Sequence, residues 1–177
     1  AFGAEYDSLS DMVSFGVAPA LVMFEWAMKG MGKWGWIAAF IYCVGAALRL
    51  ARFNTNIEVV DKRFFQGLPS PAAAALIAGF VWVLMDLNYT GEEVRWYAWA
   101  LTLFAGVTMV SNFRYYSGKD INLRRSVPFI AVLAIVLFFV LVSSYPPGIL
   151  FALFLCYAFS GYAMAIWGWF GRRKGTV

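Results

Sequence analysis

Val127-Pro-Phe-Ile-Ala-Val-Leu-Ala-Ile-Val-Leu-Phe-Phe-Val-Leu-Val-Ser143 carries no charged side chain, and its single hydroxyl is its last residue. Such a run has no place on the surface of a water-soluble domain. It suits a helix crossing a hydrocarbon core of about 30 Å, which takes roughly 20 mostly apolar residues. Five further segments share the pattern: Met12–Met28, Trp34–Phe53, Pro71–Leu87, Val94–Val110 and Gly148–Phe170. The sequence therefore predicts an all-α fold, a polytopic transmembrane helical bundle with six membrane helices. Composition agrees. The 177 residues are 62% hydrophobic, 19% aromatic and 14% charged, where soluble domains carry about 45–50% apolar and about 25% charged residues. A soluble core of this size cannot hide so much apolar surface. Intrinsic disorder and a disulfide scaffold are excluded, since Cys43 and Cys156 lie inside apolar runs as small core residues.

The breaks between the runs carry stop signals. Ser70-Pro71 reads as an N-cap followed by proline at the first helical position, where the missing N–H costs nothing. Thr90-Gly91-Glu92-Glu93 has capping-box spacing, and Ser126 suits a cap for the helix with Pro128 in its first turn. Tyr145-Pro146-Pro147-Gly148 is a tight turn that interrupts any helix. Pro19 is expected to kink the first membrane helix, with Gly16 admitting a close neighbour.

Lysine and arginine set the orientation. With the N-terminal segment inside, Arg49, Arg52, Lys62, Arg63, Arg114, Lys119, Arg124, Arg125, Arg172, Arg173 and Lys174 share the cytoplasmic side, leaving Lys29, Lys33 and Arg95 outside. The basic excess, 14 Lys and Arg against 10 Asp and Glu, is then a matter of topology and anionic membrane lipid and calls for no nucleic acid. The many Trp and Tyr residues near helix ends fit membrane-interface belts. There is no histidine, which excludes histidine acid/base catalysis, Ser-His-Asp triads, histidine-held haem and most zinc sites. Chemistry must run on carboxylates, basic groups, hydroxyls and oxygen-liganded metal.

The opening residues offer such a group. Gly3, Asp7 and Asp11 recur every fourth residue, so on a helix both carboxylates share a face, about 5–6 Å apart at Cβ. Two such carboxylates repel unless a cation lies between them or one is protonated. A divalent cation with oxygen ligands, Mg²⁺ or Mn²⁺, satisfies that, and Gly3 leaves room for a ligand against the backbone. The bland alternative, two solvated acids at a helix end, fits the spacing too.

Gly3-Ala-Glu-Tyr-Asp7-Ser-Leu-Ser-Asp11 resembles the second half of the CDP-alcohol phosphotransferase signature, Asp-x2-Asp-Gly-x2-Ala-Arg-x8-Gly-x3-Asp-x3-Asp. Within that family, Asp7–Ala20, Leu48–Asn54, Phe65–Ala74 and Met109–Tyr115 resemble, in the expected order, stretches of the membrane-integral bacterial phosphatidylserine synthases. The resemblance implies transfer of a phosphatidyl group from CDP-diacylglycerol to the hydroxyl of L-serine, giving phosphatidylserine and CMP. It implies a divalent metal held by Asp7 and Asp11, Asp11 as the base, and Gly3 beside the nucleotide. It also implies a homodimer in the bacterial inner membrane, its site facing the cytoplasm. The first half of the signature is expected before Ala1. Residues 1–177 then form a single transmembrane catalytic domain lacking its first two helices, residues 1–11 complete the metal signature, and this segment alone is expected to bind metal weakly and to be inactive.

The remaining candidates are basic or polar groups at the same membrane face. Arg49 and Arg52 lie one turn apart; either grips a substrate phosphate or the serine carboxylate through a bidentate fork, or snorkels to lipid headgroups. Asn54 hydrogen-bonds the serine ammonium or caps its helix. Ser70 donates to serine or serves as the N-cap, and Arg114 on the next loop binds anionic substrate. Residues 54–70 form a cytoplasmic interfacial loop with an apolar strip of Ile57, Val59, Val60, Phe64 and Phe65, and Lys62 and Arg63 meet lipid phosphate. Two other readings stay open: a family member with another acceptor, such as glycerol 3-phosphate or inositol phosphate, and a non-catalytic membrane bundle.

Overall fold

A computed structural model describes residues 2–55, 64–116 and 129–173. Lys62, Arg63, Lys119, Arg124, Arg125, Lys174, the strip Ile57, Val59 and Val60, and the Ser126 cap with Pro128 lie outside the described residues. The described chain is helical almost throughout. Its first leg runs without a break through α1 (Phe2–Asp11), a π-helical stretch Met12–Val17, α2 (Ala18–Met23), a second π stretch Phe24–Met28 and a 3-10 turn Lys29–Met31. There follow α3 (Lys33–Thr55), α4 (Ser70–Asp86), α5 (Arg95–Val110), α6 (Phe129–Ser144) and α7 (Pro146–Arg173). Three legs are long and apolar enough to cross a membrane: Glu5–Met31, Lys33–Thr55 and Pro146–Trp167. The apolar helices α4 and α6 are shorter, at 17 and 16 residues. Several apolar helices of this kind make a membrane protein.

Pro19 is accommodated by winding rather than by breaking the first leg. Its ring has no N–H to return to the carbonyl four residues back, that of Phe15. The wide π turns of Met12–Val17 precede it, and the Tyr42 hydroxyl donates to Phe15 O at 3.1 Å. Gly32, at φ +55° and ψ −124°, takes a backbone conformation open essentially to glycine alone, and the chain turns into α3 there.

Small residues let the legs approach, as van der Waals packing requires where lipid removes the hydrophobic drive. Tyr42 and Gly45 of α3 meet Gly106 of α5, and Ala38 and Ala46 of α3 and Ala98, Thr102, Ala105 and Met109 of α5 are buried too. A Cβ on Gly106 would fall 2.9 Å from the Tyr42 Cα, so glycine sets this spacing. α7 lies along α4, with Phe151 against Gly79 and in ring contact with Phe80. α6 buries none of its residues; Phe129, Ile130, Leu137 and Phe139 are exposed on all sides.

The one β element among the described residues is an antiparallel ribbon, β1 (Phe64–Gln66) with β2 (Arg114–Tyr116), in the register Phe64–Tyr116, Phe65–Tyr115 and Gln66–Arg114. It lies within what the sequence presents as interfacial loops. Gly67, at φ +77°, follows it and donates its N–H to Phe113 O at 2.8 Å, and Leu68 N–H reaches Thr108 O at 3.1 Å. Tyr115 is fully buried, its ring seated over Gly161 and its hydroxyl donating to Ala158 O at 2.8 Å, so α7 holds the ribbon in place.

Two helix-start expectations are corrected. Ser70 is the first residue of α4 rather than its cap, and its hydroxyl makes no capping bond; Pro69 is the N-cap. Its oxygen is taken by a guanidinium instead. At Thr90, the Glu93 carboxylate accepts from the Thr90 N–H at 2.8 Å and from its hydroxyl at 2.9 Å. Residues 91–94 are nonetheless turns, and α5 begins only at Arg95. The pair stabilises the connecting loop, not the helix start.

Candidate active site

Charged and polar groups separate to the two ends of the bundle. One end holds Trp34, Trp96 and Trp99 in edge contacts, with Trp99 Nε1 donating to Trp34 O at 3.0 Å. It also holds the exposed Lys29–Glu25 ion pair at 2.7 Å. Asp86, at the end of α4, lies close to Tyr145 there. The opposite end gathers most of the predicted site residues.

A small pocket at that end is lined by Asp11, Met12 and Phe15 from the first leg, Arg49 and its neighbours from α3, and Ser70 and Pro71 from α4. Three separate helices thus bring a carboxylate, a guanidinium and a hydroxyl together. Asp11 is half-buried, one residue before the π turns begin. Arg49 Nη1 donates to Ser70 Oγ at 2.9 Å, and Arg49 Nε is buried with no partner among the described residues. Asp11 and Tyr157 of α7 are the electrostatic neighbours of Arg49. The one ion pair among the described residues is Lys29–Glu25, so Asp11 and Arg49 share the pocket without closing on each other.

The other candidates do not line this pocket. Asp7 and Gly3 lie on exposed turns of α1, Gly3 with open space where a side chain would stand. Because α1 is helical from Phe2, Asp7 and Asp11 do share a face. Arg52 is committed to the end of α5, with Nη1 donating to Asn112 Oδ1 at 3.1 Å and to Ser111 O at 3.4 Å. Asn54 Nδ2 donates to Ser8 Oγ at 3.2 Å, tying α3 to α1. Arg114 lies in β2 opposite Gln66.

Three participants escape sequence reasoning. Ser8 and Asn112 stand inside quoted motifs, but their partners are far away in the chain. Tyr157 comes from an apolar helix, where a tyrosine reads as packing; its hydroxyl also reaches Tyr116 O at 3.2 Å.

Asp7 and Asp11 are the candidate ligands for a divalent cation. Carboxylates one turn apart on an exposed helix face are the hard oxygen donors that Mg²⁺ and Mn²⁺ prefer. They fit part of such a shell, and among the described residues no third acid, cysteine or histidine joins them.

Fold and site together define a membrane-embedded helical protein in which a carboxylate, a guanidinium and a hydroxyl meet in one pocket at one end of the bundle. Residues 1–110 match CDP-alcohol phosphatidyltransferase, and the chain belongs to that family. The matched part contains the whole Asp11–Arg49–Ser70 pocket and stops short of α6 and α7. The chain is 38% identical over 124 residues to a CDP-diacylglycerol–serine O-phosphatidyltransferase of Helicobacter pylori strain J99, covering 68% of this chain and 51% of that protein. It is 38% identical over 114 residues to the protein of that name in Methanocaldococcus jannaschii, covering 64% and 49%. With the one in Saccharomyces cerevisiae it shares 39% over 87 residues, covering 45% and 31%. The chain spans about half the length of the first two of these relatives.

Proposed function

We propose that the protein containing this chain transfers a phosphatidyl group from CDP-diacylglycerol to the hydroxyl of L-serine, releasing CMP. The observation that carries this reading is the meeting of Asp11, Arg49 and Ser70 in one pocket, inside the stretch shared with relatives named for that reaction. A carboxylate and a guanidinium that do not pair with each other suit a reaction between an alcohol and an anionic diphosphate.

The balance of the reaction is simple. The serine oxygen forms a bond to the phosphatidyl phosphorus, and the bond from that phosphorus to the bridging oxygen breaks. CMP leaves with that oxygen and its electron pair. Asp11, within reach of the pocket, takes the proton from the serine hydroxyl; a placed base of this kind contributes typically 10²–10⁴-fold. Asp7 and Asp11 are the residues that would hold a divalent cation, Mg²⁺ or Mn²⁺, which would supply charge neutralisation at the diphosphate. Gly3, with no side chain on the same face, leaves space for the nucleotide. Arg49 binds an anionic group of a substrate by charge-assisted hydrogen bonds. Arg52 and Asn54 keep the rim in shape through Asn112 and Ser8, and Arg114 is a further basic residue for anionic substrate.

The site faces the cytoplasm of a bacterial inner membrane, where a lipid-linked nucleotide and soluble serine both reach it, and the protein works as a homodimer. The test is CMP release by the full-length protein in vesicles with Mg²⁺ or Mn²⁺, offering L-serine, glycerol 3-phosphate and inositol phosphate in turn. Serine should be preferred. A preference for another acceptor assigns a different branch of the family, and no release with any acceptor favours a non-catalytic bundle.

A further inference from the structure

Ser70 occupies an unusual position for a serine at the start of a helix. Its hydroxyl does not cap α4, because Ser70 is the first helical residue and Pro69 holds the N-cap position. It accepts from Arg49 Nη1 instead, at 2.9 Å, and the residue is only 8% exposed. Prolines flank it on both sides. Pro69, with φ −57° and ψ 134°, and Pro71 in the first helical turn fix the backbone, and Ala73 N–H closes that turn on Pro69 O at 2.9 Å. The hydroxyl therefore has a set place, not one chosen by a mobile loop.

A guanidinium is planar, with five N–H donors in a rigid fork. Fixing Nη1 on Ser70 fixes the plane. The edge left over is Nε with Nη2, the side-on fork that matches two oxygens of a carboxylate or phosphate. Nε is buried and has no partner among the described residues. A buried charged donor without an acceptor is unfavourable, and a ligand oxyanion in the adjoining pocket relieves it. Asp11 lines that pocket without forming an ion pair with Arg49.

We infer that Ser70 is a positioning residue: it holds Arg49 so that the Nε–Nη2 edge receives a substrate oxyanion, either the carboxylate of the amino-acid acceptor or a phosphate of the lipid-linked donor. This rests on the function proposed above and assigns the specificity of its pocket.

The experiment uses the full-length protein with Ser70→Ala and Ser70→Thr. Turnover is measured against L-serine and CDP-diacylglycerol separately. Independently of turnover, the melting temperature in detergent is followed with L-serine or inorganic pyrophosphate as the probe. Ser70→Ala should raise KM for one substrate about 5–30-fold, the effect of misplacing one anchoring group, with kcat within about threefold. Ser70→Thr, which keeps the hydroxyl, should restore it. A rise for serine assigns the carboxylate, and a rise for the donor assigns the phosphate. The matching probe should stabilise the wild-type and Ser70→Thr proteins and not Ser70→Ala. If the wild-type protein shows the probe shift but no turnover, the reaction is wrong and the anchor stands. The inference is overturned if Ser70→Ala leaves both KM values unchanged, if Ser70→Thr is as impaired as Ser70→Ala, or if neither probe shifts the wild-type protein.

Discussion

The Tyr42 hydroxyl of α3 donates to the carbonyl oxygen of Phe15, the acceptor to which Pro19 has no N–H to return. Tyr42 is fully buried. The bond therefore fixes the first leg against α3 at the π turns that directly follow Asp11. Tyr42→Phe keeps the ring and removes only this bond. It should lower stability by about 0.5–1.5 kcal/mol, a fall of roughly 2–4 °C in Tm per kcal/mol for a chain of this size. Thermal unfolding in detergent measures this, and an unchanged Tm removes the bond from the account of the π stretch.

Gly106 should tolerate substitution far less than its exposed neighbour Val107. A Cβ there meets the Tyr42 backbone at 2.9 Å, and Gly45 on the facing helix is equally confined by Gly106 O. Neither contact can relax by rotating a side chain, so α3 and α5 must separate. Gly106→Leu should cost about 1–3 kcal/mol or more from overpacking, whereas Val107→Leu, on a 60% exposed position, should be close to neutral. Expression and Tm of the two variants give the comparison.

Apolar runs made most of this fold readable. Trp34–Phe53, Pro71–Leu87 and Val94–Val110 fall within two residues of α3, α4 and α5 at each end, because the membrane imposes length and composition on a spanning helix. The first leg extends back to Phe2 because its polar turns follow the same helical ladder, which hydropathy does not register. The π turns were hidden because they alter hydrogen-bond spacing, not side-chain polarity. Pairing Phe64–Gln66 with Arg114–Tyr116 was hidden because it is non-local, although the two aromatic residues in each strand favour that conformation. In the site, helical spacing alone placed Asp7 and Asp11 on one face. It could not say that Arg49, rather than Arg52, lines the pocket with Asp11. That depends on the angle at which α3 meets α4 and α5. Nor could it show that the Ser70 oxygen is used by Arg49 instead of a backbone N–H.

The loop before α5 carries a pH-dependent contact of known sign. The Thr90 N–H and hydroxyl both donate to Glu93 and hold its carboxyl below the ordinary value. A carboxyl depressed in the folded state contributes stability that is fully present above its unfolded pKa, and it is lost as pH falls through the folded one. The Tm difference between wild type and Glu93→Gln should therefore be constant near neutrality and shrink below about pH 4.5. Because Glu93 is fully exposed, the difference should be small and fall further in high salt. A difference that grows on acidification contradicts the assigned bond.

Asp11 and Asp7 should respond differently to conservative change, because only one of them lines the pocket. Asp11→Asn removes both the proposed base and a metal ligand while keeping shape, so CMP release by the full-length protein should fall by at least about 10²-fold. Asp7→Asn removes a ligand from an exposed turn. It should raise the Mg²⁺ or Mn²⁺ concentration needed for half-maximal rate, with part of the rate recovered at high metal. Chelation should abolish wild-type activity, and either ion should restore it. The two roles separate on the metal titration: a base cannot be replaced by more metal, whereas a weakened ligand can be offset by mass action. If Asp11→Asn is rescued by metal as fully as Asp7→Asn, Asp11 is a ligand alone and the proton leaves by another route.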